Sequence, residues 1–324
     1  MILSNSTSRV IALALLAWAS PQRPVPSPAP PNGPQGYVIS REVDLVVLPV
    51  TVRNRAGQFV SGLEASRFRV YENGQPQTIT DFQSEDTPVT VGLVVDHSGS
   101  MVAKSKEVIE GAMAFVEESN PQDEEFVVNF ADKIALGLPA NVPYTSNANE
   151  LKAALSTPSA SGRTALNDAV IAALRHLDLH QPSKKVLIVI SDGGDNASQH
   201  TFAQALRIAQ GENVVIYSVG LFDEDSADKN PKALQSLAKE TGGLVYFPST
   251  PADVVHVCRQ IAGDIRHQYT IAYSPADERR NAYRKIRVNV TANGQGKLAV
   301  RTRTGYYWPS GAPTASSGSA GARQ

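Results

Sequence analysis

Apolar runs and amphipathic segments alternate along the middle of the chain. VGLVVD (91–96) and KKVLIVISD (184–192) are short continuous apolar runs, as expected for strands buried on both faces. Segment 102–119 has apolar residues at helical spacing, and segment 231–243 begins with proline and ends in two glycines, which are helix start and stop signals. This alternation predicts an α/β fold, a doubly wound and mostly parallel sheet with helices on both faces. Further strands are predicted at 125–132, near 135–138 as an edge strand, and at 213–222 and 244–249, and further helices at 147–156, 164–178, 202–210 and 250–265.

Two β-rich segments, 37–87 and 266–308, flank this region without helical periodicity. Asn73-Gly74 and Asn293-Gly294 are hairpin turn signals within them. Each flank is too small to bury a good core alone. We therefore predict that the flanks pack together as one antiparallel β-sandwich into which the α/β domain is inserted. Two separate hairpin appendages are the alternative.

The ends of the chain carry signals of their own. Residues 10–19 (VIALALLAWA) follow Arg9 and end in a small-x-small site, which predicts a secretory signal peptide at 1–19. Residues 20–36 hold 7 of the 21 prolines and predict an extended linker. Residues 309–324 are rich in Ser, Gly and Ala and predict a disordered tail. The chain is thus expected to be exported, to the periplasm or the extracellular space, with the α/β domain at 88–265.

Charge and composition exclude several classes of function. The 30 Lys and Arg residues balance 31 Asp and Glu residues, which opposes nucleic-acid binding and electrostatic docking to an anionic membrane. The single Cys258 allows no intrachain disulfide or thiolate zinc cluster, and its helical context predicts a buried core thiol. No apolar run is long enough to span a membrane in the mature chain. The basic cluster Arg279, Arg280, Arg284 and Lys285 is interpreted as a solvated hairpin turn, and the oligomeric state stays open.

Oxygen-bearing side chains follow the buried strands. The first strand ends in the run DHSGS, which contains Asp96, Ser98 and Ser100; Thr164 begins a helix, and Asp192 ends the strand at 184–192. Ligand-binding loops of a doubly wound sheet meet beyond the carboxyl ends of its strands. Carboxylates and hydroxyls suit Mg²⁺, or alternatively Mn²⁺ or Ca²⁺. The sequence therefore predicts a cation site at these five residues, with a water position open to a partner protein's carboxylate.

Five neighbouring residues are assigned supporting or loop roles: His97, Gly99, Asp168, Gly193 and Asp195. Gly99 relaxes the backbone between the two serines. The His97 side chain is expected to point away from the metal. Asp168 either supports the site or favours the N-terminus of its helix. Asp195, with Asn196, either extends the site or serves as a turn residue, and the turn is favoured.

Three segments together, VGLVVDHSGSM, SGRTALNDA and VLIVISDGGDN, resemble a von Willebrand factor type A domain with a complete metal-ion-dependent adhesion site. The resemblance covers about 88–265. It implies a sheet with one antiparallel edge strand and surrounding helices. It also implies metal contact by Ser98, Ser100 and Thr164, with Asp96 and Asp192 direct or through water. The flanks resemble an exported bacterial subgroup in which β segments bracket the type A domain.

These features favour an exported, adhesion-type module that captures a partner's acidic side chain through a divalent metal. A site of carboxylates and neutral hydroxyls offers few groups that could catalyse a reaction, so no catalytic residue is assigned. One alternative is a scaffold subunit of an envelope complex, in which the metal is structural. Another is a metal-dependent hydrolase, which the sequence disfavours because it places no general base, second metal or nucleophile elbow.

Overall fold

The computed structural model describes residues 45–84, 86–156, 162–178, 184–222, 229–276, 282–292, 294 and 296–308. Its strands are β1 (Val46–Arg53), β2 (Phe68–Glu72), β3 (Gln75–Gln77), β4 (Asp81–Gln83), β5 (Thr90–Asp96), β6 (Glu124–Phe130), β7 (Ile134–Leu136), β8 (Lys185–Ser191), β9 (Val214–Gly220), β10 (Val245–Tyr246), β11 (Tyr269–Tyr273), β12 (Tyr283–Val290), β13 (Ala299–Arg301) and β14 (Gly305–Tyr307). Its α-helices are α1 (Ser105–Glu118), α2 (Ala148–Leu155), α3 (Leu166–Leu177), α4 (Phe202–Gly211), α5 (Pro231–Thr241) and α6 (Val254–Arg266). The predicted signal peptide (1–19), linker (20–36) and tail (309–324) lie outside the described residues.

The central sheet has the strand order β10-β9-β8-β5-β6-β7. Its strands run parallel except β7, which pairs antiparallel with β6 at one edge. Every residue of β5 and β9 is buried, which explains why these strands read as continuous apolar runs. The strand order reverses beside β5, so the loops after β5 and β8 open at a switch point. The predicted doubly wound α/β fold is confirmed.

Local sequence signals set the helix boundaries. Asn230 caps α5 by accepting a hydrogen bond from the Ala233 amide, and Gly242 ends the helix at a φ of 88°. The helix predicted from residue 102 differs in its first turn, because Gly99–Lys104 form a 3-10 helix before α1.

Cys258 lies on α6 and is fully buried, as predicted, and burial raises the pKa of its thiol to about 12. Among the described helices, none has both the length and the hydrophobicity needed to cross a bilayer.

The flanks form two four-stranded antiparallel sheets, β13-β1-β11-β4 and β14-β12-β2-β3. Each sheet contains strands from both flanks. Apolar residues of the two sheets share one core, which includes Leu48, Phe68, Ile271 and Val288. The predicted sandwich with an inserted α/β domain is therefore confirmed, and the alternative of separate hairpins is wrong. Asn73-Gly74 forms the turn between β2 and β3, with both residues at positive φ, whereas Asn293 lies outside the described residues.

A buried ion pair joins two neighbouring strands that come from different flanks. Arg284 on β12 is 1% exposed, and its Nη1 donates to Oε1 of Glu72 on β2 at 2.8 Å. The other oxygen of Glu72 accepts hydrogen bonds from the hydroxyls of Tyr273 and Tyr306, both at 2.7 Å. The interpretation of Arg284 as part of a solvated turn is wrong, because β12 alternates inward and outward residues and places Arg284 inward. Arg279 and Arg280 lie outside the described residues.

A second buried carboxylate connects the α/β domain with the sandwich. Asp264 on α6 is completely buried and accepts hydrogen bonds from Arg53 on β1 at 3.2 Å and from Arg301 on β13. It also accepts from the Tyr217 hydroxyl on β9 at 2.5 Å. Burial, with the neighbouring Asp264 charge, raises the pKa of Tyr217 well above its usual value, so this hydroxyl remains a donor. Asp264 thereby ties elements of both parts of the fold together.

Candidate metal site

The loops that carry the predicted metal ligands meet at the carboxyl ends of β5 and β8. Ser100 Oγ donates to Asp192 Oδ2 at 2.6 Å, which joins the loop after β5 to the residue after β8. The hydroxyl oxygens of Ser98 and Ser100 lie 3.3 Å apart. The loop of Thr164 approaches the same place, because Gly99 N donates to the carbonyl of Gly162 at 3.4 Å.

Both carboxylates of the candidate site are buried, Asp96 with 2% and Asp192 with 3% of its surface exposed. Asp96 accepts hydrogen bonds from Ser98 N at 2.8 Å and from Ser191 Oγ at 2.6 Å, and Asp192 Oδ1 accepts from Gly194 N at 2.9 Å. These bonds fix the orientation of each carboxylate.

Burial raises the pKa of Asp96 to about 6, and the charge of Asp192 adds to this rise, although hydrogen bonds from Ser191 and Ser98 oppose it. Two buried carboxylates at one point are costly unless a positive charge offsets them. In the part of the chain that the structure describes, no group of three or more His, Cys, Asp or Glu side chains is arranged to hold a metal. The donor set that remains, two carboxylates with serine and threonine hydroxyls, suits a hard divalent cation.

Three loop residues shape the site without offering a ligand. The His97 ring lies within 2.9 Å of Asn129 Oδ1, and burial lowers its pKa although the Asn129 hydrogen bond opposes this change. Gly99 provides the backbone bond to the Thr164 loop described above. Gly193 has a φ of 78°, and a Cβ there would lie 2.5 Å from the carbonyl oxygen of Asn230, so only glycine fits.

The segment after Asp192 makes hydrogen bonds to Thr164 and to the start of α3. Asn196 Oδ1 accepts the Thr164 amide hydrogen at 2.9 Å, and the Asn196 amide donates back to the Thr164 carbonyl at 2.9 Å. Asp195 Oδ2 accepts the amide hydrogen of Asn167 at 2.8 Å. The residue that precedes α3, Ala165, has no side chain able to cap it, so Asp195 caps this helix from another loop. The sequence did not reveal this role, because the contacts join residues about thirty positions apart.

Asp168 completes this arrangement from the helix side. Its carboxylate accepts the amide hydrogens of Gln199 at 2.7 Å and of His200 at 3.0 Å, and it contacts the His200 ring at 2.6 Å. Desolvation raises the pKa of Asp168, but the hydrogen bonds from Gln199 and His200 outweigh it, so the pKa is lowered. Asp168 and Asp195 therefore hold the loop and α3 together.

Comparison with known families decides the identity of this fold. The sequence model described as von Willebrand factor type A domain matches residues 90–260, more than half of the chain. The chain belongs to the von Willebrand factor type A domain family. The resemblance stated from the three site segments is thereby confirmed at the level of the family.

Relatives of the type A domain come from distant organisms. Inter-alpha-trypsin inhibitor heavy chain H4 of Bos taurus is 28% identical over 170 residues, which cover 48% of this chain and 18% of that protein. An uncharacterized protein of Borreliella burgdorferi is 25% identical over 212 residues, which cover 63% of this chain and 60% of that protein. The chain thus spans less than two thirds of these curated relatives. The solved structure of a von Willebrand factor type A protein from Catenulispora acidiphila shares the fold, with a TM-score of 0.50 at 14% identity over 83% of this chain and 75% of that chain.

The Asp195 cap of the type A domain gives a direct stability prediction. Asp195→Ala is expected to lower the free energy of unfolding by about 1 kcal/mol, because it leaves the first turn of α3 without its acceptor. Urea unfolding followed by circular dichroism measures the change. Glu110→Ala, on an exposed face of α1, serves as the control and should change stability by no more than about 0.5 kcal/mol. Equal stabilities of the two variants would contradict the capping role.

Proposed function

We propose that the type A domain binds one divalent cation and uses it to capture an acidic side chain of a partner protein. The observation that carries this proposal is the meeting of three loops, in which buried Asp96 and Asp192 lie with serine hydroxyls that already contact one another. Type A domains are adhesion and protein-interaction modules that often depend on metal. Mg²⁺ is the proposed ion, with Mn²⁺ and Ca²⁺ as alternatives of the same hard character.

Different side chains have different proposed roles in binding the cation. Ser98, Ser100 and Thr164 are the proposed hydroxyl ligands, and Asp96 and Asp192 supply negative charge directly or through water. The backbone amides of Ser98 and Gly194 and the Ser191 hydroxyl keep the two carboxylates oriented. Because the three hydroxyls are neutral, the ion keeps much of its positive charge. When bound, it supplies an electrophilic centre that a partner's carboxylate can join.

Binding rather than catalysis is the function that these residues support. Relatives in this family are mostly adhesion or scaffold proteins. We therefore assign no catalytic residue. We also propose that the protein acts after export, which rests on the signal-like residues 1–19.

Calorimetric titration with Mg²⁺ and Mn²⁺ tests the proposed site. The wild-type protein should bind one ion in a saturable manner. Ser100→Ala, which removes a proposed ligand, should weaken binding at least about tenfold, since even the loss of an outer partner of a metal typically costs 10–100-fold. The matched control is Ser198→Ala, because Ser198 caps the Asp168 amide at 3.1 Å and is not a proposed ligand.

Two outcomes would count against the proposal. If the wild-type protein shows no saturable binding, the cation site is not functional. If Ser198→Ala weakens binding as much as Ser100→Ala does, the effect comes from loosening the loops and not from losing a ligand.

A further inference from the structure

A groove of about 470 Å³ separates the type A domain from the sandwich at a distance from the metal site. The type A domain lines it with Lys239 of α5 and residues 242–245, and the sandwich lines it with residues 286–288 and 300–304. The groove borders the amino end of β10, whereas the candidate metal site lies at the carboxyl ends of β5 and β8. The two features are therefore separate.

One wall of this groove is an unpaired strand edge. β12 pairs with β2 from Ile286 to Val290, but on its other side β14 reaches only Tyr283–Lys285. Among the described residues, the Ile286 amide makes the last bond on that side, to the Thr304 carbonyl at 2.9 Å. Hydrogen-bonding direction alternates along an antiparallel strand, so Val288 points its N–H and C=O to the same side as Ile286. Within the described residues no strand pairs with β12 at Val288 on that side.

The side chains around this edge are cationic and aliphatic. Lys239 and Arg287 are exposed and line the groove from opposite sides, and the Arg287 guanidinium also lies 4.6 Å from the centre of the Tyr71 ring on β2. Of the described residues that line it, none is Asp or Glu, and the adjacent Glu240 already accepts hydrogen bonds from Gln210 and Thr304. Half-buried Leu244 and Val245 add aliphatic surface. This combination fits an extended chain in which acidic and aliphatic side chains alternate.

We propose that the groove receives an extended acidic segment of a partner protein as an additional strand beside β12. The N–H and C=O of Val288 make main-chain hydrogen bonds to the segment, and Lys239 and Arg287 attract its carboxylates. This interaction needs no cation and is independent of the proposed metal site.

A labelled seven-residue peptide that alternates glutamate and valine is the probe. Fluorescence anisotropy is measured with the whole chain in about 0.15 M salt, with a chelator present so that the metal site makes no contribution. The peptide should bind in a saturable manner, and Lys239→Glu combined with Arg287→Glu should weaken binding at least about tenfold. Lys232 is exposed on α5 and does not line the groove, so the control variant Lys232→Glu should leave binding unchanged.

Hydrogen exchange adds a readout that does not depend on any substitution. The Val288 amide should exchange more slowly when the acidic peptide is present. A peptide in which lysine replaces each glutamate should neither bind nor protect Val288. The proposal is overturned if the acidic peptide does not bind, if the lysine peptide binds equally well, or if binding leaves Val288 unprotected. None of these results depends on whether the cation site binds metal.

Discussion

Replacing Glu72 by alanine is expected to lower the free energy of unfolding by about 3–5 kcal/mol, because it removes a buried carboxylate that pairs with the buried charge of Arg284. The substitution also removes the acceptor shared by the Tyr273 and Tyr306 hydroxyls. Removing the acceptor of a buried donor costs more than an ordinary hydrogen bond contributes. The effect should therefore exceed that of any single exposed ion pair in this protein.

Chemical denaturation of Glu72→Ala beside Glu64→Ala measures this effect. Glu64 lies in the same flank and is exposed, so its replacement should change stability by no more than about 0.5 kcal/mol. The double variant Glu72→Leu with Arg284→Met should recover much of the loss, since apolar residues of similar volume can replace a buried ion pair. A loss below about 1 kcal/mol for Glu72→Ala would show that the pair is hydrated in solution.

Asp264→Ala should destabilise the protein by a similar amount, about 3–5 kcal/mol, because it removes one carboxylate from between two arginines. The Tyr217 hydroxyl loses its acceptor at the same time. Since these partners come from both parts of the fold, the variant should also become sensitive to limited proteolysis near the junction. Asp264→Asn, which keeps an oxygen acceptor without the charge, should show a smaller loss.

The control for Asp264 is a partly exposed ion pair whose arginine lies close to Asp264 in the chain. Arg266, near the end of α6, pairs with Asp86 at 2.9 Å, and both side chains are partly exposed. Asp86→Ala should therefore cost no more than about 1 kcal/mol. If Asp264→Ala costs as little, Asp264 does not hold the junction together.

The buried strands and the D-x-S-x-S run of the candidate site were predictable because their signals are local. β5 and β8 are continuous apolar runs, and Asp96, Ser98 and Ser100 lie within five consecutive residues. Parallel strands bring their carboxyl ends to one edge, so the positions of Thr164 and Asp192 followed from the predicted sheet.

Contacts across long sequence separations were not predictable. Charged residues are seldom fully buried, which led to the interpretation of Arg284 as solvated. Its partner Glu72 is 212 positions away, so no local pattern reveals the pair. The hydrogen bond from the Thr164 amide to Asn196 was not predicted for the same reason, because it depends on how two loops meet in space. Period-two alternation places Arg284 on the same face of β12 as Ile286 and Val288, but it does not show that a carboxylate from another strand accompanies Arg284 there.

The insertion of the type A domain between the two flanks also affects the order in which the parts of the chain fold as it is synthesised. In the described structure β1 lies between β11 and β13, both of which follow the whole type A domain in the chain. At about 5–20 residues per second, the ribosome needs about 10–40 s to pass from Gln83 to Tyr269. During this interval Leu48 and Val50 emerge without the strands that later cover them. The type A domain is therefore expected to fold before the sandwich, and pairing of β1 with β11 and β13 should be the last step.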